Sequence, residues 1–74
     1  MPPKVREVIR RLEQEGWVLK TTRGSHRNYV HPSKSGKVTV PGKLNADVPP
    51  GTWASIQRQA GWRDGEEQTE ENYR

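Results

Sequence analysis

Apolar residues in this chain never run longer than three in succession, and the run that reaches three is Trp17-Val18-Leu19. A chain so patterned offers no segment that spans a bilayer and no apolar stretch of signal-peptide type. Its core must be assembled from the faces of amphipathic elements. With 74 residues, of which 28% are hydrophobic, that core is a single small one, since short chains bury a smaller share of their surface. Cysteine is absent, so neither disulfides nor a cysteine-based zinc site can reinforce it. This composition fits a reducing compartment, and the cytoplasm is the expected location.

The spacing of the apolar residues predicts five elements. Val5, Val8, Ile9 and Leu12 recur at helical intervals and predict an amphipathic helix over residues 4–16. Pro2 and Pro3 suit its entry, and Gly16 suits its end. Residues 17–22, 26–31 and 37–41 are short runs of strand-forming residues, separated by Arg23-Gly24-Ser25 and by Pro32 through Gly36. They predict a three-stranded antiparallel meander that Pro41 terminates. Residues 42–50 lack a period and are expected to be a loop. Trp53, Ile56 and Ala60 restore helical spacing over 52–60, with Thr52 as the expected N-cap and Gly61 as the stop. The expected fold is α+β: both helices on one face of a three-stranded antiparallel sheet, the element order of double-stranded-RNA-binding domains. Residues 1–62 form the domain, and 63–74, acidic and aperiodic, are expected to be a disordered tail.

Charge is divided unevenly between these parts. Residues 1–62 carry 11 Lys and Arg against 4 acids, and residues 63–74 carry 2 against 5. A basic body on so small a domain favours a polyanionic partner, nucleic acid first. The bias is strongest between residues 16 and 46, where Lys20, Arg23, Arg27, Lys34, Lys37 and Lys43 occur and no acid does. Of these, Lys20, Arg23, Arg27, Lys37 and Lys43 are the candidate phosphate contacts. Arg6, Arg10 and Arg11 have Glu7, Glu13 and Glu15 as neighbours on the first helix, and solvation or pairing is expected of them.

Two histidines stand in the strand region. His26 follows Gly24-Ser25, a turn in which glycine frees the backbone and serine can bond to a phosphate or locally. An imidazole titrates near neutrality, and one that takes the proton of an RNA 2′-hydroxyl beside phosphate-holding cations can promote strand cleavage without a metal. Spacing alone favours the plainer reading of His26 as a surface residue of a hairpin turn. His31 precedes Pro32, where packing or capping is the expected role. The odd separation of the two histidines sets them on opposite sheet faces if alternation holds, against a paired acid and base. No carboxylate lies near either histidine in sequence, so neither a metal nor another cofactor is expected. Trp17 and Trp53 are expected in the core and Trp62 as a closing contact. Tyr29 is left between covering the core edge and contacting RNA.

Taken in order, Leu12 with Gly16-Trp17, then Arg23-Gly24-Ser25-His26-Arg27-Asn28-Tyr29-Val30-His31-Pro32, Val38-Thr39-Val40-Pro41-Gly42-Lys43, Pro50-Gly51-Thr52, and Ile56 with Gln59-Ala60-Gly61 resemble the HicA (YcfA-like) toxins. The resemblance runs from about Val5 to Trp62. It implies a double-stranded-RNA-binding-domain-like fold, a ribonuclease acting on messenger RNA, His26 as the active histidine, and a HicB antitoxin that blocks the active surface. Many family members place a histidine shortly after the Val-Pro that ends the third strand, where this chain has Gly42-Lys43. Two other functions remain open at this point: a non-catalytic module that reads RNA shape through phosphates and 2′-hydroxyls, and a basic protein-interaction domain.

Overall fold

The structure is a computed structural model and describes residues 2–62; the acidic segment 63–74 lies outside the described residues. The elements follow in the expected order: α1 (Val5–Gln14), β1 (Val18–Arg23), β2 (His26–Val30), β3 (Val38–Val40) and α2 (Pro50–Ala60). The three strands form one antiparallel sheet in the order β1-β2-β3.

Both helices end in Gly-Trp, and the same pair of backbone bonds closes each. After α1, the Trp17 N–H donates to Leu12 O at 3.0 Å and the Gly16 N–H to Glu13 O at 3.1 Å. After α2, the Trp62 N–H donates to Gln57 O at 2.8 Å and the Gly61 N–H to Arg58 O at 3.4 Å. This is the Schellman arrangement, in which the residue after the helix takes positive φ. Gly16 has φ 96°, and a side chain there would also press on His31 Nε2, 3.1 Å from where its Cβ would stand. In both cases the tryptophan that follows is turned back into the core.

The start of α2 differs from expectation. The helix begins at Pro50, with Pro49 extended at its N-cap (φ −61°, ψ 154°), and Thr52 is already inside the first turn. Proline at the first helical position lacks an N–H that would have no partner there, and its φ is preset for the helix. The Pro49-Pro50 pair that reads as loop in sequence is therefore the helix start.

Val5, Val8 and Leu12 of α1, Ile56 and Ala60 of α2, Tyr29 of β2, and Val38 and Val40 of β3 join Trp17, Val48 and Trp62 in one core, with Ile9 and Trp53 packed at its margin. Full burial of a side chain such as Leu12 or Ile56 contributes about 1.5–3 kcal/mol. Val48 was not anticipated, because it stands alone in the polar stretch before Pro49. It is brought inward by backbone pairing across the entry to α1: the Val48 N–H donates to Pro3 O at 2.9 Å and the Val5 N–H to Ala46 O at 2.9 Å. Lys4 and Asp47 pair there as a bridge and through a 2.8 Å ion pair.

The helices cover β2 and β3 and leave β1 uncovered. Every residue of β1 is exposed, including Val18 (58%) and Leu19 (48%). The outer edge of β3 is met by α2, where Gln59 Oε1 accepts the Thr39 N–H at 3.0 Å. Strand β1 carries a bulge at Lys20, between Leu19 and Thr21, a device that disfavours further strand pairing at an edge. Among the described residues no helix is long and apolar enough to cross a membrane.

Candidate RNA-cleaving site

Strand alternation sorts the sheet into two faces. Tyr29 and Arg27 pair with Val38 and Val40 on the helix-covered face. His26 and Asn28 therefore project from the opposite, open face, together with Arg23, Thr21 and Thr39, their partners across the sheet.

The hairpin between β1 and β2 has a two-residue loop, since Arg23 pairs directly with His26. Gly24 has φ 56° while Ser25 stays at negative φ, the pattern of a type II′ turn, whose first central residue favours glycine. The loop places His26 at the very tip of the sheet. Its ring is exposed, and among the described residues no hydrogen bond, ion pair or ring contact engages it. Arg23 is its cross-strand neighbour on the same face.

Arg27 holds this tip against the rest of the fold. Its guanidinium donates through Nη1 to Gly42 O at 2.8 Å and to Ser25 O at 3.3 Å. The turn bearing His26 is thus tied to the segment that leaves β3, and Lys43, next to Gly42, is at the same end. The site end of the sheet gathers His26, Arg23, Gly24, Ser25, Arg27 and Lys43.

The remaining sequence candidates are dispersed. Lys20 sits at the bulge, midway along β1. Lys37 precedes β3, whose start pairs with the far end of β2. Four residues at about 3.3 Å each separate that end from His26, about 13 Å in all. Lys34 is at the far end too, with its ammonium 5.8 Å from the centre of the Trp17 ring. Neither lysine is part of the His26 end.

Tyr29 requires a correction. Its side chain is 2% exposed and belongs to the core, so its ring is not offered to a base. The alternation of Val38 and Val40 selects the face, and Tyr29 opposite Val38 follows them inward. Burial, joined by the charge of Glu13 and opposed by Arg27, holds its hydroxyl above the ordinary value of 10.0.

His31 serves the fold. Its Nε2 lies 2.9 Å from Glu15 O and its Nδ1 accepts the Ser33 N–H at 3.0 Å. Glu15 O can only accept, so Nε2 is the donor and Nδ1 the acceptor of the ring. That ring packs edge-on against Trp17, with centroids 5.2 Å apart. Both nitrogens are committed to the backbone, at the end of the sheet away from His26. Arg11 likewise acts structurally: it pairs with Glu15 at 3.2 Å and lies 4.0 Å over the Trp62 ring, while Trp62 Nε1 donates to Glu15 Oε1 at 2.7 Å.

A row of polar side chains on the open face was not among the sequence candidates. Asn28 donates through Nδ2 to Thr21 Oγ1 at 3.0 Å and accepts at Oδ1 from Thr39 Oγ1 at 2.7 Å. The signal was available in the alternation, which sets Asn28 two residues from His26 on one strand face. Among the described residues no group of three His, Cys, Asp or Glu is placed to hold a metal ion.

No curated protein matches the chain. The family model described as the HicA toxin of bacterial toxin-antitoxin matches residues 5–62, which contain all five elements and the whole His26 end of the sheet. The helix–three-strand–helix order agrees with that match, and the chain belongs to the HicA family, the toxins of bacterial toxin–antitoxin systems.

Proposed function

We propose that this toxin is an endoribonuclease that cleaves messenger RNA at His26 without a metal ion, and that it acts in the cytoplasm, where its substrate is. The observation that carries the reading is the state of the His26 ring: exposed at the hairpin tip, engaged by no other described residue, with Arg23 its cross-strand neighbour on the same face and Arg27 and Lys43 at the same end of the sheet. His31, by contrast, has both nitrogens occupied.

The chemistry follows from these placements. Neutral His26 takes the proton of the 2′-hydroxyl as that oxygen attacks the adjacent phosphorus. The P–O5′ bond breaks, leaving a 2′,3′-cyclic phosphate and a 5′-hydroxyl. The cations at the tip hold the phosphate and offset the charge gathering on its oxygens. Ser25 and the backbone of Gly24 are available to the same phosphate. One histidine cannot both take the first proton and hold another for the leaving oxygen, so water or a neighbouring cation supplies the second proton. Lys20 and Lys37 extend the electrostatic footprint along the bound strand.

Membership of the family implies an antitoxin partner. A HicB-like protein that covers the open face near His26, setting acidic or apolar groups against the cations, inhibits by occupying the substrate's place.

The test is cleavage of single-stranded RNA by the wild-type chain and by His26→Ala in excess chelator. The wild type is expected to cut and the variant to lose about 10²–10⁴-fold in rate, with RNA binding nearly intact. An alanine variant that cuts at the wild-type rate removes the assignment. A substrate with a 2′-deoxy sugar at the scissile nucleotide is expected to resist.

A further inference from the structure

The open face beyond His26 is organised. Asn28 follows His26 by two residues on the same strand and face, about 6.6 Å further along, a distance of the order of one extended nucleotide. Its carboxamide is held from both sides: Nδ2 by Thr21 of β1 and Oδ1 by Thr39 of β3. The three residues form one hydrogen-bonded row across the sheet, in register with the backbone pairs Thr21↔Asn28 and Asn28↔Thr39.

A primary amide has two N–H donors and an oxygen with two acceptor positions. The row uses one donor and one acceptor position. Among the described residues the other donor and the other acceptor position of this amide have no partner, and the two anchored ends fix its direction. A donor adjacent to an acceptor matches the edge of a nucleobase, the geometry by which asparagine reads adenine in two-point contacts. In single strands such edges are free to be read.

We propose that Asn28, held by Thr21 and Thr39, is a base-reading subsite for the nucleotide next to the scissile phosphate, and so sets the cleavage preference of this toxin. The proposal rests on the reading of His26 as the cleaving residue, which fixes where the phosphate lies. Asn28 touches neither the reacting phosphorus nor the 2′-hydroxyl, and its contribution is selection of sequence. Thr21 and Thr39 are positioning residues that act through it. Lys20, at the bulge beside Thr21, contributes charge without sequence preference.

The test separates this subsite from the cleavage chemistry. The full chain carrying His26→Ala is titrated with short single-stranded RNAs that differ at one position each, read by fluorescence anisotropy. One position is expected at which the base identity changes affinity by about 5- to 150-fold, the range of a good two-point base contact. Adding Asn28→Ala is expected to flatten that preference and leave the other positions unchanged. Asn28→Asp keeps the shape but replaces the amide donor with an acceptor, and is expected to shift the preference to a different base. Thr21→Val and Thr39→Val are expected to weaken it. An unchanged preference in the Asn28 variants, an equal loss of affinity for every sequence, or the absence of any base preference in the parent overturns the proposal. The readout is binding, so a wild-type chain that fails to cut RNA counts against His26 alone.

Discussion

Removing His31 tests the division of labour between the two histidines. The His31→Ala change deletes the contact between Nε2 and Glu15 O at 2.9 Å and the acceptor of the Ser33 N–H at 3.0 Å. It also deletes the edge-on contact with Trp17 at 5.2 Å. Both hydrogen bonds are exposed, so each contributes at the lower end of the net range, about 0.5–1 kcal/mol. The ring contact adds about 0.5–1 kcal/mol. The expected loss is therefore about 2 kcal/mol. In a domain of this size each kcal/mol moves the melting temperature by about 4–8 °C, so Tm is expected to fall by about 8–16 °C. His26→Ala removes no hydrogen bond, ion pair or ring contact among the described residues and is expected to stay within about 0.5 kcal/mol of the wild type. The assay is urea and thermal unfolding of both variants by circular dichroism, followed by RNA cleavage well below the lower Tm. His31→Ala is expected to cut within a few-fold of the wild-type rate at that temperature, and His26→Ala to be inactive. A His31→Ala protein as stable as wild type but unable to cut would falsify the structural assignment and return His31 to the chemistry.

Two further outcomes follow from the placement of Tyr29 and of the cations. The hydroxyl of Tyr29 is held above 10.0 in the folded chain, chiefly by burial. Its contribution to stability is therefore complete below that pH and is lost as pH rises through the folded value, because the unfolded chain gives up the proton first. Tyr29→Phe is expected to flatten this part of the alkaline stability profile in urea titrations run from pH 9 upward; an unchanged slope counts against Tyr29 as the titrating group. Charge reversal at Lys43, on the His26 end, is expected to weaken RNA and antitoxin binding together, with on-rates that fall steeply with salt. Reversal at Lys37, about 13 Å away along the strands, is expected to reduce RNA affinity with little effect on the cleavage step. If both reversals lower RNA affinity and leave antitoxin affinity unchanged, the antitoxin binds elsewhere.

The local signals in this sequence determined the elements. Apolar spacing in Val5, Val8 and Leu12, the two Gly-Trp helix ends, and the Gly24-Ser25 turn each act within a few residues, through a backbone geometry that neighbouring residues alone select. The same signals placed His26 at a hairpin tip, and alternation set it on the face opposite Arg27 and Tyr29. Alternation has only two outcomes, however, and does not say which face the helices will cover. That was decided when α1 and α2 packed over β2 and β3, which carried Tyr29 inward and left all of β1 exposed. The same packing divided a run of cations that is continuous in sequence, sending Arg23, Arg27 and Lys43 to the His26 end and Lys34 and Lys37 to the other, because an antiparallel meander reverses direction at each turn. His31 received its role in the same way: Glu15 O and Trp17 are more than a dozen residues away in sequence, and only the return of the chain from α1 to the end of β2 brings them to its ring.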